Sequence, residues 1–131
     1  MTGLVLFAHG SSVGSANESV HSVARLLSER CEGALVETAF LEAAKPDLAD
    51  AIAALAAKGT TRIIIVPYFL TLGIHLRRDL PRIVEGLRDI YKGVAIEVTE
   101  PLDGHPSLLQ VVFDRAKDAL NGGGNSESQV G

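Results

Sequence analysis

One cysteine in 131 residues leaves Cys31 without a partner for an internal disulfide or a thiolate metal site. That scarcity fits the reducing cytoplasm. At the end of an amphipathic segment, Cys31 reads as a small core-facing hydrophobe rather than a reactive thiol. Positive charge is also in short supply: 12 Lys and Arg face 16 Asp and Glu, a formal net charge of −4. That balance argues against a general nucleic-acid binder, which usually shows a basic face. Long apolar runs are missing too. The longest, IIIVPYFL, is eight residues and contains Pro67, far short of a membrane span. The N-terminus shows no basic stretch followed by a small-residue cleavage site, so neither a signal peptide nor a membrane partner is expected.

Apolar periodicity, by contrast, is abundant. At 47% hydrophobic and 21% charged residues the composition is that of a globular α/β protein, and the length suits one domain with one core. Residues 3–8, GLVLFA, read as a first strand. SVHSVARLLSERC puts Val20, Val23, Ala24, Leu27 and Cys31 on one helical face, with His21 just off it as a surface histidine. Residues 34–41, ALVETAFL, are a second strand, placed at an edge by Glu37 and Thr38. KPDLADAIAALAAKG repeats Leu48, Ala51, Ile52, Leu55 and Ala56 and stops at Gly59.

The β-branched run in TRIIIVPYFL is the pattern of a central parallel strand covered on both faces. Residues 75–91 put Leu76, Leu80, Ile83, Leu87 and Ile90 on one stripe, and VAIEV is a fourth strand. SLLQVVFDRAKDAL is a last helix, opened by Pro106 and closed by Asn121 and Gly122. This alternation implies an α/β fold: an open four-stranded parallel sheet with helices on both faces. It forms a single domain over 1–120. NGGGNSESQVG, residues 121–131, has almost no apolar content and is expected to be a disordered tail.

In an open parallel sheet, ligands bind at the carboxyl ends of the strands. His9 follows the first strand, Glu42 the second, His75 the third and His105 the fourth, so four metal-competent side chains project toward one edge. Imidazole and carboxylate suit a borderline divalent cation such as Fe²⁺, Co²⁺ or Ni²⁺, and the missing thiolates argue against a closed structural zinc site. Each residue alone also has an ordinary reading: His9 as a strand-end histidine, Glu42 as a solvated carboxylate, His75 as a helix flank, His105 as the orderer of the turn before Pro106. Asp79 shares a helix face with His75, either to hydrogen-bond the imidazole or to pair with Arg78 or Arg82.

Arg77, Arg78 and Arg82 suit an anionic ligand, or else form a solvated helix face. The loop PYFLTLGIH, with Phe69 and Leu70, is too apolar for an ordinary connection and either lines a pocket or meets a partner subunit. GSSVGSANES opens a phosphate-binding reading at a helix N-terminus, but it has no Walker lysine and no G-x-G-x-x-G. HGSS is similar to the nucleophile motif of the histidine phosphatases, yet Ala8 stands where that motif has arginine.

Taken in order, LFAHGSS…AN, AFLE, IIIVPYFLTLGIHLRRDLP and PLDGHPSL make residues 3–118 similar to the short CbiX-type sirohydrochlorin chelatases. These are relatives of the SirB enzymes and, in fold, of ferrochelatase. The resemblance implies a chelatase-like, flavodoxin-like half-domain that acts as a homodimer, its cleft built between subunits. It implies an ATP-independent lyase that inserts Co²⁺, Fe²⁺ or Ni²⁺, taken as substrate, into sirohydrochlorin on the route to cobalamin or sirohaem, with no organic cofactor. On motif positions, His9, His75 and Glu42 fall on the family's metal-binding and catalytic residues. Ser11, Ser12, Arg77, Arg78, Phe69 and Leu70 are the contacts expected to line the site for such a tetrapyrrole, an apolar ring bearing carboxylates. Ser12 stands where many relatives carry arginine. A non-catalytic metal or tetrapyrrole carrier of the same fold is the competing reading.

Overall fold

The structure, a computed structural model, describes residues 1–122. Strands and helices alternate: β1 (Thr2–Ala8), α1 (Gly14–Arg30), β2 (Ala34–Phe40), α2 (Leu48–Ala57), β3 (Arg62–Pro67), α3 (Ile74–Ile90), β4 (Ala95–Val98) and α4 (Pro106–Asn121). By contacts the chain divides into two units, Met1–Pro101 and a second that begins at Leu102 and contains α4.

The strands pair in parallel in the order β2-β1-β3-β4. β2 is therefore an edge, as its polar content predicts, and β1 and β3 are interior. Alternation along β1 sorts the core into two layers. Val5 and Phe7 pack with Leu48, Ile52 and Leu55 of α2 and with Leu76, Leu80 and Val84 of α3. Leu6 and Ala8 pack instead with Val20 and Ala24 of α1 and Phe40 of β2. Helices thus cover both faces. Phe7, Ile52, Leu55, Ile63 and Ile65 are fully buried, and removing each such side chain from water is worth about 1.5–3 kcal/mol.

Several details depart from the sequence pattern. β3 is sealed on one side only: Ile63, Ile65 and Pro67 are buried, whereas Ile64 and Val66 are half-buried. α3 buries Leu76, Leu80, Val84 and Leu87, while Ile83 and Ile90 are exposed. At 3.6 residues per turn the buried arc is centred between Leu76 and Val84, and both isoleucines fall just beyond its edge. Pro81 lies inside α3 and cannot offer the N–H that the Arg77 carbonyl would otherwise accept. Cys31 is the half-buried C-cap of α1 rather than a core residue. His21 is not a free surface histidine: its Nδ1 lies 3.1 Å from the hydroxyl of buried Thr38, and its ring packs edge-on against Phe40.

Among the described residues, no helix is long and apolar enough to cross a membrane. The expected tail lies outside the described residues, except for Asn121 and Gly122, which end α4.

Candidate functional site

His9 and Glu42 are set side by side by the β1–β2 ladder, which continues past both strand ends. Ala8 is in register with Phe40; beyond them the Leu41 N–H donates to the Ala8 carbonyl at 2.9 Å and the Glu42 N–H to the His9 carbonyl at 3.0 Å. Such closeness demands glycine next. Gly10 has φ +91°, and a Cβ there would sit 1.9 Å from the Glu42 carbonyl oxygen. The two side chains then meet: His9 Nε2 lies 2.9 Å from Glu42 Oε1. With Nε2–H donated to the carboxylate, a neutral imidazole keeps the Nδ1 lone pair open for a cation or a proton. Both side chains are more than 60% exposed, at 63% and 62%, so a large ligand can reach them.

The segment carrying Glu42 is anchored behind. The Phe40 N–H donates to the Pro46 carbonyl at 2.9 Å. Asp47 caps α2 reciprocally with Asp50, each carboxylate accepting from the other's backbone N–H. The Asp50 N–H, with the Lys45 ammonium beside it, holds the Asp47 carboxyl below its ordinary pKa. Lys45 is raised in turn by the same pairing.

Ser11 and Ser12 begin the exit from His9. The Asn17 side chain clamps this loop: its Oδ1 accepts from the Ser11 N–H at 3.0 Å and its Nδ2 donates to the Ser11 carbonyl at 2.8 Å. The Ser11 hydroxyl accepts from the Val13 N–H at 3.0 Å, and Ser12 is exposed. Val13, the N-cap of α1, makes no side-chain cap. Asn17 is thus the amide that ties the first turn of α1 to the loop, and α1 starts at Gly14, ahead of its apolar stripe. In the sequence Asn17 stands out only as the end of the LFAHGSS…AN motif, with no role of its own; an Asn six residues after a strand-exit serine, in a helix without a capping side chain, is the signal for that role.

On the far side of His9 the Tyr68 N–H donates to the Phe7 carbonyl at 2.7 Å. Phe69 then stands edge-on to Phe7, with ring centroids 5.8 Å apart, and to His9 at 6.4 Å. It joins the site to the core. Leu70 and Ile74 are exposed, 62% and 81%. Beyond them a groove of about 320 Å³ is lined by Leu72, Arg77, Leu80, Pro81, Val84 and Val98, among others. A larger cavity of about 510 Å³, between α1 and the free edge of β2, includes none of the expected site residues.

His75 is in the first turn of α3. Its Nδ1 lies 3.3 Å from Arg78 Nη2, and Arg78 Nε lies 3.4 Å from Asp79 Oδ1. Of the two roles open to Asp79, the structure shows the ion pair with Arg78. His105 is the N-cap of α4, its Nδ1 accepting from the Ser107 N–H at 3.1 Å, so it orders that turn. Among the described residues no three His, Cys, Asp or Glu side chains stand close enough to hold a metal together. His9 and Glu42 are brought into contact; His75 does not join them in a ready-made trio.

The CbiX family model matches residues 3–119. The sirohydrochlorin cobaltochelatase of Saccharolobus solfataricus is 32% identical over 127 residues, covering 92% of this chain and 98% of that one. The chloroplastic sirohydrochlorin ferrochelatase of Arabidopsis thaliana is 29% identical over 91% of this chain, which spans about half, 53%, of that protein's length. The crystal structure of a CbiX protein from Marinobacter aquaeolei superposes with a TM-score of 0.80 at 32% identity, over 92% of this chain and 98% of that one. With the strand order, the strand-exit His9–Glu42 pair and matches along nearly the full length, the chain belongs to the CbiX family.

Proposed function

We propose that this chain is a sirohydrochlorin chelatase, inserting Co²⁺, Fe²⁺ or Ni²⁺ into the tetrapyrrole without ATP. The observation that carries the reading is the exposed His9–Glu42 pair at the carboxyl edge of the sheet, flanked by Phe69. Insertion removes two pyrrole N–H protons for each divalent cation gained, so it needs a base and a loosely held metal at one place. Glu42 fixes the His9 proton on Nε2, and the Nδ1 lone pair serves as ligand or proton acceptor. Two histidines and one glutamate, with His75 recruited when the substrates arrive, leave coordination positions open for transfer. Phe69 and Leu70 offer apolar cover to the ring, and Arg77 and Arg78 offer guanidinium forks to its carboxylates. Ser11 and Ser12 turn the chain away beneath it.

The acting unit is the segment 1–120, paired as a homodimer. The apolar side chains of α4 support the pairing: Leu109, Phe113 and Leu120 are 75%, 54% and 82% exposed. The single cysteine fits the cytoplasm as its place of work.

The test is a turnover count. Purified protein is given excess Co²⁺ and sirohydrochlorin without nucleotide, and product is followed by absorbance. Many products per chain are expected; one equivalent bound with no further product would identify a carrier instead.

A further inference from the structure

Arg78 holds the imidazole that the metal would need. A guanidinium only donates hydrogen bonds, so at the 3.3 Å contact with Arg78 Nη2 the Nδ1 of His75 is the unprotonated nitrogen and the ring proton sits on Nε2. Both routes by which His75 could bind a cation are then closed. Coordination through Nδ1 needs the lone pair that Arg78 occupies, with a positive charge in front of it. Coordination through Nε2 needs the proton moved to Nδ1, where an N–H would face the N–H of Arg78. Arg78 must therefore leave before His75 can take a metal. A carboxylate can draw it off, because a charge-assisted, two-pronged bond outcompetes a single contact to a neutral ring. The Arg78 side chain is 57% exposed, and among the described residues its one side-chain contact besides His75 is Asp79 at 3.4 Å, so it has room to swing.

Resting on the chelatase reading, we propose that Arg78 is a positioning residue that couples the two substrates: it withholds His75 from the metal until a carboxylate of the tetrapyrrole takes its guanidinium. Metal and macrocycle then favour each other's binding, and by linkage the effect is mutual.

The test is Co²⁺ affinity measured by calorimetry on the full chain without tetrapyrrole, for the parent protein, Arg78→Met, His75→Ala and the double variant. Arg78→Met is expected to bind Co²⁺ more tightly by about fivefold or more, the lower end of ordinary coupling. That gain should vanish in the His75→Ala background. A damaged fold would weaken binding, so structural loss cannot imitate the gain; Arg78→Ala, read beside its thermal melt, provides a second variant. Unchanged or weaker affinity overturns the proposal. So does a gain that survives His75→Ala, which would report only the removal of a positive charge. The chelatase reading fails by a different result, the parent protein not turning over.

Discussion

At the scale of single residues, Gly10 decides whether His9 and Glu42 can meet. A Cβ there would lie 1.9 Å from the Glu42 carbonyl oxygen in a backbone conformation that side chains avoid. Gly10→Ala is expected to lower stability by about 1–3 kcal/mol and to cut metal insertion more than its stability loss explains. Gly14→Ala, whose Cβ would meet open space, should leave the melt nearly unchanged; thermal unfolding and turnover on the two variants check the contrast. Glu42→Gln keeps the shape but not the charge that orients His9, and metal affinity should fall by about 10–100-fold in a Co²⁺ titration. His9 and Glu42 were legible in sequence because each directly follows an apolar run whose end is easy to place. The partner of His75 was not. Arg78 and Asp79, three and four residues on, both reach the ring's helix face, and the choice between them depends on side-chain rotamers that spacing does not encode.

At the scale of elements, the loops are held by polar side chains that leave no mark in an apolar pattern. Asn17→Ala removes two hydrogen bonds to the Ser11 backbone. A loss of about 1–3 kcal/mol is expected in urea denaturation, together with slower insertion, since the loop beside His9 loosens. Asp47→Ala removes the capping box of α2 and should cost about 1 kcal/mol near neutral pH. Its pH dependence has a definite sign. The Asp47 carboxyl is held below its ordinary value by the Asp50 N–H and Lys45. Its contribution is therefore full above the ordinary carboxylate pKa of about 3.9 and is lost as pH falls through the lowered value. The stability gap between parent and Asp47→Ala should stay constant down to about pH 4 and close below it. Periodicity placed all the strands and helices in their right order, because burial on one face is what periodicity records. It misjudged α3 at Ile83 and Ile90, since residues at the margin of a helical stripe go in or out according to the width of the opposing sheet.

At the scale of the whole molecule, the parallel sheet with β1 and β3 inside sets where the proposed site lies: parallel strands bring their exits to one edge, and His9 and Glu42 occupy neighbouring exits. The fold class was readable from the alternation of strand and helix. Whether anything meets the apolar residues of α4 was not, because amphipathic spacing says that a face is apolar and not what lies against it. Light scattering at working concentration should give the mass of two 13.8 kDa chains; a monomer mass would remove the homodimer from the account. The central claim, that His9 is placed for metal insertion, is tested most directly by the rate of Co²⁺ insertion into sirohydrochlorin by His9→Ala. The side chain is 63% exposed, so the variant should melt as the parent does while its rate drops by about 10²–10⁴-fold. A folded His9→Ala protein that inserts Co²⁺ at the parent rate would contradict the account.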